Sequence, residues 1–170
     1  METWDAIRAR RNTREYTDRP IQAADLDRIA EAGRRSPSSM NEQPWDFIVV
    51  TERDRLRQMA DLWRYGSHIG GAAAAIAFLS PASSDPDARE TFAFDLGQAV
   101  MSMMVTAADL GIGSCHSSVG DQETARSVLG FPDDRECVIL LSLGYPMRPL
   151  GPIANPDRRP SSDVVHRERW

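Results

Sequence analysis

The chain has 170 residues, 41% of them hydrophobic, with 20 basic against 25 acidic side chains and a net charge of −5. This length suits one globular domain over residues 1–170, which can bury roughly 70% of its unfolded surface without help from a disulfide or a metal. A pI near 5.2 speaks against nucleic-acid binding, which needs a basic face to displace counterions, and the longest apolar run, Ala72–Leu79, is far too short to span a membrane.

Thr3 is placed to cap a first helix that runs through Trp4 and Ile7 to about Arg11. Its end carries Arg10-Arg11-Asn12-Thr13-Arg14, three guanidiniums and two short polar side chains in five residues. Such a cluster in an acidic chain suggests a bound anion, because the planar guanidinium can give a phosphate two parallel charge-assisted hydrogen bonds. The competing reading is structural: cations at a helix C-terminus meet the negative end of its dipole. Leu26, Ile29, Ala30 and Gly33 then repeat at i, i+3, i+4, i+7, which predicts a second helix stopping before Pro37. That leaves Ser36-Pro37-Ser38-Ser39-Met40-Asn41 as a polar loop, its hydroxyls and backbone N–H groups free for a ligand, ahead of a strand from Phe47 to Val50.

Further along, a charged amphipathic helix is expected over Asp54–Trp63, broken by Gly66, Gly70 and Gly71, and Ala74–Leu79 reads as a strand buried on both faces. Pro81–Asp87 reads as a polar loop open to disorder. Phe92–Leu110 is the longest helical stretch, apolar nearly all round, so it belongs under a sheet or against a second subunit; Met101, Met103 and Met104 read as core filler. Gly111 and Gly113 end it, Ser114–Val119 forms a short strand and loop, and Asp121–Leu129 a helix stopped by Gly130 and Pro132. Cys137–Leu143 is the clearest strand, and the irregular tail from Pro146 ends in Val164, Val165 and Trp170, which need something to pack against. Cys115 and Cys137 lack CxxC spacing and read as reduced core residues of a cytoplasmic protein. His68, His116 and His166 are isolated and read as loop or tail residues; no metal-ligand spacing, P-loop or dinucleotide fingerprint occurs.

The arginine cluster, the stretch Ser36-Pro37-Ser38-Ser39-Met40-Asn41-Glu42-Gln43-Pro44-Trp45 and Gly144-Tyr145-Pro146, in this order, resemble the nitroreductase family of FMN-dependent oxidoreductases. The resemblance implies an α+β fold, a central mixed or antiparallel sheet flanked by helices, in an intertwined homodimer with FMN in clefts at the subunit interface. It implies that Arg10 and Asn12 hold the phosphate and ribityl chain, that Arg11 helps from the side, and that Arg14 lies at the pyrimidine end of the flavin. Pro37, Ser38, Ser39 and Asn41 would reach the flavin from the other protomer, with Trp45 anchoring their loop. Ser118 or Val119 would offer a backbone N–H to flavin N5, and Arg158 or Arg159 would close on the phosphate. NADPH or NADH would deliver a hydride, and a small flat acceptor, a nitroaromatic or quinone, would leave with two electrons in a ping-pong cycle. A specialised flavoenzyme of the same fold and a non-catalytic flavin-binding relative are the other readings. Asn12 stands where the family usually has Ser, and His116-Ser117 where it usually has Trp-Ile. Around Tyr65–Ile69 the resemblance fades, leaving Ser67 or His68 for polar contacts to the flavin.

Overall fold

The computed structural model describes residues 1–170. At its centre lies a four-stranded sheet of β1 (Asp46–Val50), β2 (Ala74–Pro81), β3 (Gly113–Ser118) and β4 (Arg135–Gly144), in the order β1-β2-β4-β3 with every neighbouring pair antiparallel. Side chains of β2 alternate between two cores, as the period of a strand requires. Ala74, Ile76 and Phe78 join Leu26 and Ile29 of α2 (Ala23–Arg34) and Leu96, Ala99 and Met103 of α5 (Pro86–Asp109). Ala75, Ala77 and Leu79 join Leu56 and Met59 of α3 (Arg53–Ala60) and Ala125 and Leu129 of α6 (Gln122–Leu129). The result is a three-layer sandwich, which explains why β2 is apolar from Ala74 to Leu79. A register shift between Phe78 and Leu79 lets β4 swap faces, so that Cys137 and Leu140 serve one core and Leu141 and Leu143 the other.

Several expectations need correction. The first helix, α1 (Thr3–Ala9), is shorter than expected: Thr3 is its first residue, Glu2 precedes it without a side-chain cap, and Arg10 already has extended backbone. Trp4 and Ile7 are exposed, and the buried side of α1 is Ala6 and Ala9. Strand β2 runs to Pro81 and α5 begins at Pro86, its N-cap Asp85 accepting from the Asp87 N–H, so the expected loop shrinks to four residues, 82–85. Gly66 and Gly71 bracket a short helix, α4 (Ser67–Gly70), which carries His68; at 6% exposure His68 is a core residue, not a loop residue. Helix α5 packs Met103 and Met104 inside but leaves Phe94 and Met101 exposed, so Met101 is not core filler. With Ile7, Pro37 and Gly97 these two side chains line an apolar groove of about 700 Å³. In the single chain Val164, Val165 and Trp170 are exposed as well. No helix is long and apolar enough to cross a membrane.

Candidate functional site

The arginine cluster is positioned by a strip of extended chain. After α1 ends, Thr13 donates its N–H to the Ser114 carbonyl at 2.8 Å, and Thr17 donates to the Tyr145 carbonyl at 2.8 Å. Residues 12–17 therefore lie against the start of β3 and the end of β4, with isolated bridges at Asn12–Ser114 and Tyr16–Pro146. Two glycines permit this approach. A Cβ on Gly113 would come within 2.8 Å of Thr13, and one on Gly144 within 2.6 Å of the Tyr16 ring. The Gly144→Ala variant is thus expected to lose about 1–3 kcal/mol of stability, the usual cost of overpacking, and to loosen the strip. Thermal melting checks this; an unchanged melt would show that the strip does not depend on the contact.

The strip is flanked by two cavities. One, of about 440 Å³, is lined by Trp4, Arg8, Arg10, Ile153, Pro156 and Arg158 among others. The second, of about 460 Å³, is lined by Arg11, Asn12, Arg14, Glu15, Pro146 and Arg148 among others. Arg8 pairs with Asp5 at 3.3 Å, but electrostatics separate Arg10, Arg14 and Arg148 from most other arginines. Arg28, Arg34, Arg57 and Arg135 meet carboxylates within 3.2 Å, whereas the side chains of Arg10, Arg14 and Arg148 have neither an ion pair nor a hydrogen bond. Arg158 donates only to the Asp157 carbonyl. Arg11 behaves differently from its neighbours: its Nη atoms donate to the Pro149 and Gly151 carbonyls at 3.3 Å each, strapping the start of the tail to the strip. Of the C-terminal pair, Arg158 shares a cavity with Arg10, while Arg159 donates to the Asp163 carbonyl at 3.0 Å within the tail.

The serine-rich loop is held from below by α5. Asp95, fully buried, accepts the Ser39 N–H on both carboxylate oxygens at 3.1 and 3.2 Å. Ser38 Oγ accepts the Gln43 N–H at 2.9 Å, and Met40, Asn41 and Gln43 all take positive φ. Trp45 stacks on Phe47 with ring centroids 6.2 Å apart and packs against the core, the anchoring expected of it. Within one chain, Ser38, Ser39 and Asn41 line neither arginine cavity, and Pro37 lines the apolar groove along α5. Ser118 ends β3 opposite Ile139, and Val119 packs half-buried on the core beneath α3 and α6.

Beneath the strip lies a polar cluster that sequence reasoning missed. The Tyr16 hydroxyl donates to the Thr13 carbonyl and lies 2.7 Å from Ser142 Oγ; Ser142 Oγ is also 2.7 Å from His68 Nδ1 and 3.1 Å from the Cys115 carbonyl. The available signal was Ser142, the lone polar residue in the apolar run Val138–Leu143. Burial, then the nearby charges of Arg14 and His116, hold the His68 imidazole below its ordinary 6.5. Burial pushes the Tyr16 phenol upward and the Cys137 thiol up to about 12, so neither ionises at neutral pH. For His68 the unfolded chain takes up the proton at higher pH than the folded one. Its contribution is therefore fully present above the unfolded value and is lost as pH falls through 6.5 toward the folded value. The His68→Gln variant is expected to show a flatter fall of melting temperature below pH 6.5 than the parent chain. Parallel curves would remove His68 from the acid limb.

Sheet and helices define an α+β protein in which Arg10, Arg14 and Arg148 stand unpaired in the two cavities beside one strip. Comparison with known proteins identifies the class more closely. The nitroreductase family profile matches residues 7–65 and 61–145. A protein of Archaeoglobus fulgidus with the provisional name NADH dehydrogenase/NAD(P)H nitroreductase is 33% identical over 168 residues, 96% of each chain. FMN reductase [NAD(P)H] of Bacillus subtilis is 26% identical over 94% of this chain and 71% of its own. The solved structure of an FMN-dependent nitroreductase from Clostridium difficile superposes with a TM-score of 0.79 at 23% identity, covering 97% of this chain and 98% of that one, which establishes the shared fold. The chain belongs to the nitroreductase family.

Proposed function

We propose that this chain is an NAD(P)H-dependent FMN oxidoreductase that reduces a flat acceptor such as a nitroaromatic or a quinone. The observation that carries the reading is the set of unpaired guanidiniums, Arg10, Arg14 and Arg148, in two cavities flanking one strip. Their chemistry suits FMN, which brings a phosphate at one end and a ring that gathers negative charge at the other. When bound, FMN supplies the two-electron exchange between NAD(P)H and the acceptor. Arg10 and Arg158 bind the phosphate, and the Asn12 amide, which has no partner in the chain, orients the ribityl hydroxyls. Arg14 provides a fixed cation at the pyrimidine end, where a preorganised charge favours the reduced form over the oxidised. The backbone of Ser118 and Val119, which line neither arginine cavity in the single chain, would run along the ring. Arg11 contributes indirectly, by holding the tail that carries Arg158.

Ser38, Ser39 and Asn41 line neither arginine cavity of their own chain, which supports a site completed by the partner subunit of a homodimer. The exposed Ile7, Phe94 and Met101 along the α5 groove are the face a second copy would cover. A visible spectrum of the freshly purified protein, before and after anaerobic NADPH and then NADH, tests the chemistry. Flavin absorption that bleaches with either nucleotide is the expected result; a colourless protein that takes up no added FMN would overturn the reading. Sedimentation is expected to give a dimer. A monomer that still held FMN tightly would sink the shared site.

A further inference from the structure

The turn between α3 and α4 has no part in the roles above. It is fastened at both ends. Leu62 accepts the Gly120 N–H at 2.9 Å, and the Trp63 ring lies so close to Gly120 that a Cβ there would be 2.7 Å from it. One end of the turn is thus fixed to the residue directly after Ser118 and Val119. At the other end, His68 is bonded to Ser142, whose Oγ also lies 2.7 Å from the Tyr16 hydroxyl of the strip. Residues 63–68 therefore form a wall running from the end of β3 back toward the strip. Its outer rim carries an unusual group. The Arg64 guanidinium lies 4.7 Å from the Tyr65 ring centroid and 5.5 Å from that of Trp63, and it has no carboxylate partner and no hydrogen bond. The two rings meet edge to face at 6.2 Å, and Tyr65 is 64% exposed.

A guanidinium held over two aromatic faces is oriented without being neutralised, so it keeps its full attraction for an anion. We infer that Trp63, Arg64 and Tyr65 form the docking site for the adenine and phosphate portion of the reducing dinucleotide, an inference that rests on the flavin reading above. The chemistry selects this ligand over the acceptor. A neutral flat acceptor has no use for a cation outside the ring site, whereas NADH and NADPH bring phosphates to a chain of net charge −5, together with an adenine that can stack on an exposed ring. The flavin phosphate already has Arg10 and Arg158.

The test uses the FMN-loaded protein and its Arg64→Ala and Tyr65→Ala variants. With bound FMN per subunit unchanged, Arg64→Ala is expected to raise KM for the nucleotide about tenfold, with kcat moving less, because one charge-assisted contact is lost. Titration calorimetry with ADP-ribose, which carries the adenine and phosphates but no redox centre, is expected to weaken by a similar factor in Arg64→Ala and by less in Tyr65→Ala. If both KM and ADP-ribose affinity stay at the parent values in Arg64→Ala, or if only the KM for the acceptor moves, the inference is overturned while the flavin reading stands. If neither nucleotide ever reduces the loaded protein, the flavin reading falls and takes this one with it.

Discussion

Alanine at Arg10 or Arg14 is expected to cost the protein most of its affinity for FMN. Each guanidinium is without a carboxylate or hydrogen-bond partner in the chain, so nothing inside the folded protein competes for it. A hydrogen bond to a charged group is worth roughly 1.5–3 kcal/mol, which corresponds to a loss of about 10- to 150-fold in Kd for each substitution. Because an unpaired cation contributes no internal bond, the melting temperature of the FMN-free protein should barely change. The loaded protein should melt lower, since the stabilisation that a ligand confers scales with its affinity. Arg11→Ala should show the reverse pattern: its Nη atoms bond to the Pro149 and Gly151 carbonyls, so the tail loosens first and FMN affinity follows only as far as Arg158 moves. Fluorescence titration of apoprotein with FMN reads all three. Unchanged affinity in both Arg10→Ala and Arg14→Ala would remove the strip from the cofactor site.

What the sequence makes legible depends on how local the cause is. Strands β2 and β4 could be read because burial on both faces leaves continuous apolar runs, Ala74–Leu79 and Cys137–Leu141. The start of α5 could not, because Asp87, Arg89 and Glu90 give its first turns no apolar period, although Asp85-Pro86 is a serviceable cap signal. The end of α1 is set by the docking of Thr13 on Ser114, a contact across about a hundred residues that no local pattern encodes. Periodicity also cannot distinguish a side chain that faces the core from one left for another molecule, and this is why Met101 looked like filler. The same division runs through the site. Arg10 and Arg14 stand out as a cluster, but nothing in the sequence separates them from Arg11, whose partners lie in the tail. His68 becomes significant only when the fold brings it to Ser142.

Asp95 is the second place where a substitution should have a large effect, and its sign is less obvious. The carboxylate is fully buried and has no cation within ion-pair distance; its partners are the Ser39 N–H and, at 3.4 Å, the Gln98 side-chain amide. A buried carboxyl group whose partners are all neutral is costly to keep, so replacing it need not weaken the fold. The loop above it, however, holds three non-glycine residues at positive φ, Met40, Asn41 and Gln43, a conformation that persists only while its surroundings enforce it. Asp95→Ala is therefore expected to leave the melting temperature of the FMN-free protein near the parent value while freeing Ser38–Asn41. In the proposed dimer that loop completes the partner's site, so FMN affinity should fall at least about tenfold, by the loss of one hydrogen bond to a charged group. Asp95→Asn keeps an acceptor oxygen for the Ser39 N–H and should fall between the two. Limited proteolysis offers an independent reading, since Met40 is already 94% exposed and cleavage beside it should accelerate in Asp95→Ala. If Asp95→Ala binds FMN like the parent protein, the loop either needs no anchor or plays no part in the site. Cleavage rates separate those two cases: a rate that rises without loss of FMN would leave the anchor standing and take Ser38, Ser39 and Asn41 out of the cofactor site.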